Sequence, residues 1–179
     1  DLTSLPTRRS SGLAEKDREI PLQPKAKDLD PETALHLFWE ARREHITTKL
    51  LPVITDGEVP LSDRFDASTW AYQIIAGNQP HLARLFWKLR EKYVAPVLRP
   101  WYFFFDVDPV VGLARAKGRK EAATHFDERP LEYHQDIRNG FLQFFSPLQG
   151  NRVSILDANR PQDAVFACAL HHVRHALAD

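Results

Sequence analysis

The chain has 179 residues, of which 43% are hydrophobic and 27% are charged, as expected for one globular domain over residues 1–179 with a sizeable core. Its 24 basic and 24 acidic residues cancel, so the bulk charge gives no support to a nucleic-acid partner. The single cysteine, Cys168, excludes an internal disulfide. No stretch approaches the roughly 20 apolar residues that cross a bilayer. We therefore expect a cytoplasmic protein without a membrane partner, in which any anion site is local.

The first 28 residues predict three short elements. Residues 1–6 are an apolar start typical of a strand, residues 13–20 suit a short helix, and residues 21–28 form a loop with two prolines. Arg8 and Arg9 follow the first element, where a strand would end. Two adjacent arginines at such a position can hold a phosphate group bidentately.

A long helix follows this loop. Asp30 supplies an N-cap, Pro31 occupies the first helical position, and Glu32 places an acid in the first turn. We expect the helix to end near residue 51, because Pro52 cannot continue it.

An arginine interrupts the apolar face of this helix. Leu35, Phe38, Arg42 and Ile46 recur at offsets of three and four residues, so they share one face. A buried guanidinium needs acceptors, and the ring one turn away indicates a planar ligand stacked on Phe38 with its carbonyls bound by Arg42. The alternative is an arginine whose stem packs on the core while its head reaches water or a carboxylate.

The next stretch predicts a ligand site at the end of a buried strand. Residues 59–61 lead directly into Ser62, Asp63 and Arg64. In open parallel sheets, ligands bind beyond the carboxyl ends of the strands. A carboxylate and a guanidinium at this position therefore favour chemistry, and a surface ion pair is the alternative.

Two helices come next in the predicted order. Asp66 or Ser68 caps the first, which runs to about residue 75 and ends at Gly77 and Asn78. The second covers residues 79–93, where apolar residues recur at helical spacing.

Residues 101–107 form a continuous apolar and aromatic run, which predicts a central parallel strand covered on both faces. The strand ends in a carboxylate, Asp106. Asp108-Pro109 then starts a helix that runs into a basic stretch, which either closes over phosphate groups or is a solvated face. The basic residues are Arg115, Lys117, Arg119 and Lys120.

The last elements are a helix over residues 130–145, a strand over 152–157 and a terminal helix from Pro161. Strands that alternate with helices predict an α/β layered sheet with right-handed crossovers. Three histidines of the terminal helix have no acidic or cysteine partner nearby, so we interpret them as a solvated face and not as a metal site. They are His171, His172 and His175.

Several short motifs of this sequence occur in the same order as in one enzyme family. They are Asp30-Pro31-Glu32, Leu37-Phe38-Trp39-Glu40-Ala41-Arg42, Ser62-Asp63-Arg64-Phe65, Ser68, Ala71-Tyr72-Gln73, Arg99-Pro100, Asp106-Val107-Asp108-Pro109, Gly112-Leu113-Ala114-Arg115-Ala116 and Ile155-Leu156-Asp157-Ala158. The chain resembles the thymidylate kinases, nucleoside monophosphate kinases of the P-loop class. The resemblance covers nearly the whole chain, and the Asp-Arg-aromatic, Ser, Ala-Tyr-Gln spacing is its most specific part.

The resemblance implies a three-layer P-loop kinase fold, with a parallel sheet flanked by helices, and transfer of a phosphoryl group from ATP to dTMP with Mg²⁺. It also implies a role for each matching residue. At the base, Phe38 stacks on the thymine, Arg42 binds its exocyclic oxygen, and Ser68 and Gln73 approach it, while Tyr72 packs beside the sugar and helps exclude ribonucleotides. At the phosphates, Arg64 with Arg8 or Arg9 holds the acceptor phosphate, and Asp63 positions the magnesium ion or its waters. Arg115 and Arg119 belong to a lid over about residues 115–129.

The sequence departs from the family in three places. The G-x-x-x-x-G-K-[ST] loop, which holds the donor phosphates, does not occur in it. We therefore hypothesise that about 30 or more residues precede Asp1 in the parent chain, and we expect two strand pairs with an empty slot between them. Arg9-Ser10-Ser11 replaces a Glu-Pro-Gly-Gly segment, and His125-Phe126-Asp127 stands where relatives place an arginine, an apolar residue and an acid.

Two other functions stay open at this point. One is a catalytically inactive relative that binds nucleotides or a protein partner, and the other is a kinase for another pyrimidine (deoxy)nucleoside or monophosphate. The resemblance also implies a homodimer formed through helices on one side of the sheet. Phe86 and Trp87 are either core residues or part of that dimer face.

Overall fold

The structure, a computed structural model, describes residues 29–118, 128–148 and 152–178. The chain divides into two compact units, which are described separately: Asp1–Asp63 with Glu91–Val97, and Arg64–Arg90 with Leu98–Asp179. Within the described ranges, no helix is long and apolar enough to cross a membrane. The elements predicted for residues 1–28 lie outside these ranges.

One long, interrupted helix dominates the first unit. It consists of α1 (Pro31–His45), a π-helical segment (Ile46–Leu50) and α2 (Leu51–Thr55). The predicted start is confirmed, since the Asp30 carboxylate accepts a hydrogen bond from the Thr33 amide at 2.9 Å.

The predicted end of this helix at Pro52 is wrong. Pro52 lies in the first turn of α2, where a missing backbone N–H is least costly. Directly before it, the Leu51 amide donates to the Ile46 carbonyl, five residues back. This wider turn shifts the hydrogen-bond register, so the helix passes a proline that would break a regular α-helix.

Aromatic packing holds the first unit together. Leu35, Trp39 and Ile46 are almost completely buried. The Trp39 ring stacks on Tyr93, from the Glu91–Val97 segment, with ring centroids 6.3 Å apart. Tyr93 also donates its hydroxyl hydrogen to Glu40 at 3.1 Å, so the two parts of this unit are joined by both apolar and polar contacts.

The strand predicted over residues 59–61 is wrong. This segment has no strand conformation, and the side chains of Val59 and Leu61 are 72% and 93% exposed. Pro60 lies between them and has no amide to donate to a strand ladder. Asp63 and Arg64 consequently stand at the end of an exposed loop and not at the end of a buried strand.

The second unit begins with the helices that were predicted over residues 66–75 and 79–93. They are α3 (Asp66–Thr69), a second π-helical segment (Trp70–Ile75), a 3-10 turn (Pro80–Leu82) and α4 (Ala83–Tyr93), whose last three residues belong to the first unit.

The predicted capping of α3 is wrong. Phe65 is the N-cap and provides no side-chain hydrogen bond, while Asp66 is the first helical residue and Ser68 lies inside the helix. Asp66 is fully buried. Its carboxylate does not cap the helix and instead binds side chains of residues that are distant in sequence.

Two parallel strands, β1 (Tyr102–Asp106) and β2 (Val153–Asp157), form the sheet of the described residues. Between them along the chain lie α5 (Pro109–Lys117) and α6 (Leu131–Phe145), and α7 (Gln162–Ala178) follows. The parallel pairing confirms the predicted α/β class.

The strand environment differs from the prediction. Phe105 of β1 is 48% exposed, so the described part of the chain does not cover both faces of this strand. The predicted arrangement of two strand pairs with an empty slot is also not seen in the described ranges. Residues 59–61 form no strand there, and residues 1–6 lie outside.

The core of the second unit is aromatic. Phe86 and Phe144 are fully buried, and Trp87 stacks on Phe144 at 5.4 Å between ring centroids. Trp70 packs edge-on against Phe86 at 5.2 Å. Phe86 is therefore a core residue, while Trp87 is half-buried and its place in a dimer face stays a prediction.

Candidate active site

The carboxyl ends of β1 and β2 lie side by side. The register pairs Asp106 with Asp157, and the Ala158 amide donates to the Asp106 carbonyl at 2.8 Å, which extends the ladder by one residue. Two carboxylates thus stand at the edge where parallel sheets bind ligands.

Asp106 is neutralised by an arginine of α6. The Arg138 guanidinium donates to both Asp106 carboxylate oxygens, at 2.6 and 2.8 Å, a bidentate geometry. The hydrogen bond to Asp106 raises the pKa of Arg138. Sequence reasoning missed Arg138, although it lies three residues before Phe141 and so interrupts an apolar helix face, the same signal that singled out Arg42.

The turn after β2 is held by Asn159. Its amide and side-chain nitrogen donate to Asp157 at 3.0 and 2.9 Å, and its side-chain oxygen accepts from the Asp108 amide at 2.8 Å. The hydrogen bonds from Asn159 lower the pKa of Asp157 from its ordinary value of 3.8. Their stabilising contribution is therefore present above about pH 3.8 and is lost as the pH falls through the lowered pKa.

Arg115 of α5 holds the same turn from the other side. Its guanidinium donates to the carbonyls of Ala158, Asn159 and Arg160 at 2.6, 2.8 and 3.3 Å. Arg115 also lines an open pocket of about 360 Å³, whose other lining residues are Phe105, Val107, Gly112, Ala116 and Ala158. The predicted lid role of Arg115 stays a prediction, and Arg119 lies outside the described residues.

Replacement of Asp108 by alanine is expected to destabilise the fold by about 1 kcal/mol, the usual effect of losing a helix N-cap. The reason is that the Asp108 carboxylate accepts from the Val110 amide at 2.8 Å, in the first turn of α5. Urea denaturation measures the effect. Asp108→Ser should retain most of the stability, and equal losses for alanine and serine would contradict a capping role.

Arg64 occupies an unusual backbone conformation at the start of the second unit. Its φ of 62° lies in the left-handed region. This conformation costs energy in a residue other than glycine, and residues with such strain cluster at functional sites. The exposed guanidinium lies over the Tyr72 ring, 5.2 Å from its centroid. The turn therefore presents a charged group at the surface while an aromatic face restricts its direction.

An aromatic wall supports Tyr72. The Phe141 ring meets Tyr72 edge-on at 6.3 Å and stacks on Phe104 of β1 at 5.2 Å. Ser68 and Gln73, in α3 and the second π-helical segment, are half-buried like Tyr72. The structure thus brings the predicted residues Arg64 and Tyr72 into contact.

In the first unit, Arg42 packs on an aromatic ring of the core. Its guanidinium carbon lies 4.7 Å from the centroid of the Trp39 ring, and the predicted ligand between Phe38 and Arg42 stays a prediction. Phe38 and Arg42 are both half-buried on α1. The aromatic support of Arg42 thus comes from a fully buried core residue.

A buried polar cluster lies behind the Arg64 turn. Arg90 of α4 donates to the Asp66 carboxylate at 2.8 Å, and the Tyr102 hydroxyl lies 2.8 and 3.0 Å from its two oxygens. Burial, and the adjacent Asp66 carboxylate, raise the pKa of Tyr102, so it is a neutral hydrogen-bond donor. Sequence reasoning missed this cluster, although Asp66 precedes Trp70 by one helical turn and so marks a charge on an apolar face.

Among the described residues, no group of three or more histidine, cysteine, aspartate or glutamate side chains could hold a metal ion. Asp63 is an exposed carboxylate in the loop before α3. Mg²⁺ is usually bound by one or two carboxylates together with substrate phosphates and waters. Asp63 therefore fits such an ion as a single ligand or as an acceptor for its waters.

Parallel strands joined by a helical crossover define an α/β protein. The charged side chains at and near the carboxyl ends of these strands place it in the ligand-binding class. Comparison of the sequence with known protein families specifies which family this is. A family model described as thymidylate kinase matches residues 5–168. The chain belongs to the thymidylate kinase family.

Similar proteins carry the same name. The chain is 32% identical over 167 residues to a thymidylate kinase of Geobacillus sp. (strain WCH70), covering 92% of this chain and 78% of the relative. It is 35% identical over 165 residues to one of Magnetococcus marinus, with 90% and 76% covered. For one of Chlamydia caviae the identity is 35% over 154 residues, with 84% and 72% covered. The resemblance inferred from the motifs is confirmed.

Proposed function

We propose that this chain transfers the terminal phosphoryl group of ATP to dTMP, giving ADP and dTDP. The observation that carries the proposal is the Arg64 turn, in which a left-handed backbone and the Tyr72 ring restrict the guanidinium. A phosphate monoester is the anion that such a group binds well, because its oxygens accept two parallel N–H bonds. Membership of the thymidylate kinase family supports a nucleoside monophosphate as the source of that phosphate.

The remaining roles follow the family pattern and are part of the proposal. Phe38 stacks on the thymine and Arg42, supported by Trp39, bonds its exocyclic oxygen. Ser68 and Gln73 approach the base, while Tyr72 packs beside the sugar and disfavours a 2′-hydroxyl.

The phosphate contacts involve further arginines. Arg64 holds the acceptor phosphate together with Arg8 or Arg9. Arg115, whose guanidinium also contacts the turn after β2, and Arg119 belong to the lid over the transferred group.

The chemistry needs little covalent participation by the protein. Phosphoryl transfer is accelerated mainly by positioning and by neutralising charge on the transferred group. Asp63 would hold Mg²⁺ or its waters, and the ion would neutralise charge on the donor phosphates. Arg64 contributes a fixed positive charge and therefore lowers the energy of bringing two phosphate groups together.

An ADP-release assay on the full-length protein with ATP and a series of acceptors tests the proposal. We expect turnover with dTMP, weaker turnover with dUMP and none with thymidine, because only the monophosphates offer the group that Arg64 binds. Turnover with thymidine would identify a nucleoside kinase. Binding of dTMP in calorimetry without turnover of any acceptor would identify an inactive, nucleotide-binding relative.

A homodimer in the cytoplasm is also part of the proposal. Phe86 is fully buried in the core, whereas Trp87 is half-buried, so of these two residues only Trp87 keeps surface for the dimer face. Sedimentation velocity measures the assembly directly, and a single species of about 20.6 kDa for this chain would exclude the dimer.

A further inference from the structure

Asp66, in the second unit, makes buried polar contacts and has no role in the proposed mechanism. Asp66 has no exposed side-chain surface, and its partner Arg90 is 16% exposed. The Asp66 carboxylate binds the Arg90 guanidinium and the Tyr102 hydroxyl, and it accepts from the Ala67 amide at 3.0 Å. Arg90 also donates to the Tyr102 oxygen at 3.3 Å, so the three side chains form a closed cluster.

The cluster is enclosed by aromatic rings. The Arg90 guanidinium carbon lies 5.7 Å from the Trp87 centroid and 5.6 Å from the Phe144 centroid. The Tyr102 ring packs edge-on against Phe144 at 5.7 Å. These rings keep water away and leave each polar group with one satisfactory arrangement.

Stability alone does not account for such a cluster. Removing two charges from water is costly, and apolar residues of similar volume are often as stabilising as a buried ion pair. What a buried, directional cluster adds is a single defined geometry. The segment whose geometry it defines is the start of α3, two residues after Arg64.

We propose that Asp66 is a positioning residue for Arg64. The Asp66 carboxylate anchors the first residue of α3 to α4 and β1 through Arg90 and Tyr102. This anchor leaves Phe65 and the left-handed Arg64 little freedom, and it thereby directs the Arg64 guanidinium onto the Tyr72 face. Insofar as Arg64 binds the acceptor phosphate, the inference rests on the proposed function.

The test replaces the whole cluster by apolar residues of similar size, Asp66→Leu and Arg90→Met with Tyr102→Phe, because this variant leaves no buried hydroxyl unpaired and should fold. Thermal unfolding verifies the fold. Selective labelling of Arg64 then reports its side-chain proton shifts, which the Tyr72 ring current displaces in the parent protein. We expect the displacement to be lost in the variant, and an unchanged displacement would overturn the proposal.

Kinetics supply a second readout on the full-length protein. We expect kcat/KM for dTMP to fall by about tenfold or more while KM for ATP stays unchanged, since only the acceptor contact is disturbed. An equal loss for both substrates would indicate general damage and overturn the positioning role. If the parent protein does not use dTMP, the proposed function fails, and the Arg64 shifts still decide the inference.

Two milder variants cover the case in which the combined replacement does not fold. Asp66→Asn keeps the shape and removes the charge, and Tyr102→Phe keeps the ion pair and removes one hydroxyl. Asp66→Asn should displace the Arg64 signals more than Tyr102→Phe does, because it weakens the bonds to both partners. Parent-like Arg64 signals in both variants would overturn the proposal.

Discussion

Arg64→Ala is expected to lower kcat/KM for dTMP by about 100- to 1,000-fold, the range found when one preorganised donor to a developing charge is removed. The guanidinium is exposed and is restricted by the Tyr72 ring, so the replacement removes a positioned positive charge from the proposed phosphate site. Steady-state kinetics of ADP release on the full-length protein measure the effect. Calorimetric titration with dTMP separates binding from turnover.

Two matched replacements make this result specific. Arg64→Lys keeps a positive charge but not the planar pair of donors, so we expect activity between the parent and the alanine variant. Arg64→Gly should be as inactive as Arg64→Ala. It should be at least as resistant to urea as Arg64→Ala, because glycine adopts the φ of 62° without strain. An Arg64→Ala protein with parent-like kcat/KM would remove Arg64 from the site.

Gly140→Ala is expected to destabilise the protein by about 1–3 kcal/mol, although alanine is the better helix former. Gly140 is buried in α6 against the second π-helical segment, and a Cβ atom there would lie 2.8 Å from the Ala71 Cα. Because that neighbour is backbone, the two helices would have to separate. The melting temperature should fall by about 2–4 °C for each kcal/mol.

Gly112→Ala is the control for this prediction. Gly112 also lies in a helix, α5, but a Cβ atom there would meet only the Val107 side chain, at 3.5 Å, an ordinary contact distance. We expect a gain of about 0.5–1 kcal/mol from improved helix propensity. A loss at Gly112 equal to that at Gly140 would show that close backbone packing is not the cause.

The helix separation should also reach the site. Tyr72 and Phe141 follow Ala71 and Gly140 directly, and their rings are in contact. Widening the gap would move Tyr72 and hence the surface under Arg64. We therefore expect Gly140→Ala, but not Gly112→Ala, to raise KM for dTMP in the full-length protein.

Local signals in the sequence located most of the elements. Asp30 and Asp108, each followed by proline, start α1 and α5, because both side chains accept from amides within three residues. The apolar runs predicted as strands contain β1 and β2 within one residue at each end. The failures are at Pro52, where a shift in hydrogen-bond register lets the helix continue, and at residues 59–61, where Pro60 has no amide for a strand ladder.

The partners of the charged residues were not available from local pattern. Asp66 looked like a helix cap, since a carboxylate before an apolar segment usually is one. Its actual partners, Arg90 and Tyr102, lie 24 and 36 residues away in the chain. The Asp106 carboxylate likewise meets Arg138 from a position 32 residues distant.

By itself, the sequence determined the α/β class, the starts of the long helices and the family, because periodicity, caps and motif spacing are properties of short segments. The tertiary structure alone decided which ring supports each arginine and which carboxylates are neutralised. Trp39 lies under Arg42, and Tyr72 lies under Arg64. These choices depend on how helices and strands pack, since a guanidinium takes the nearest acceptor or aromatic face that the fold provides.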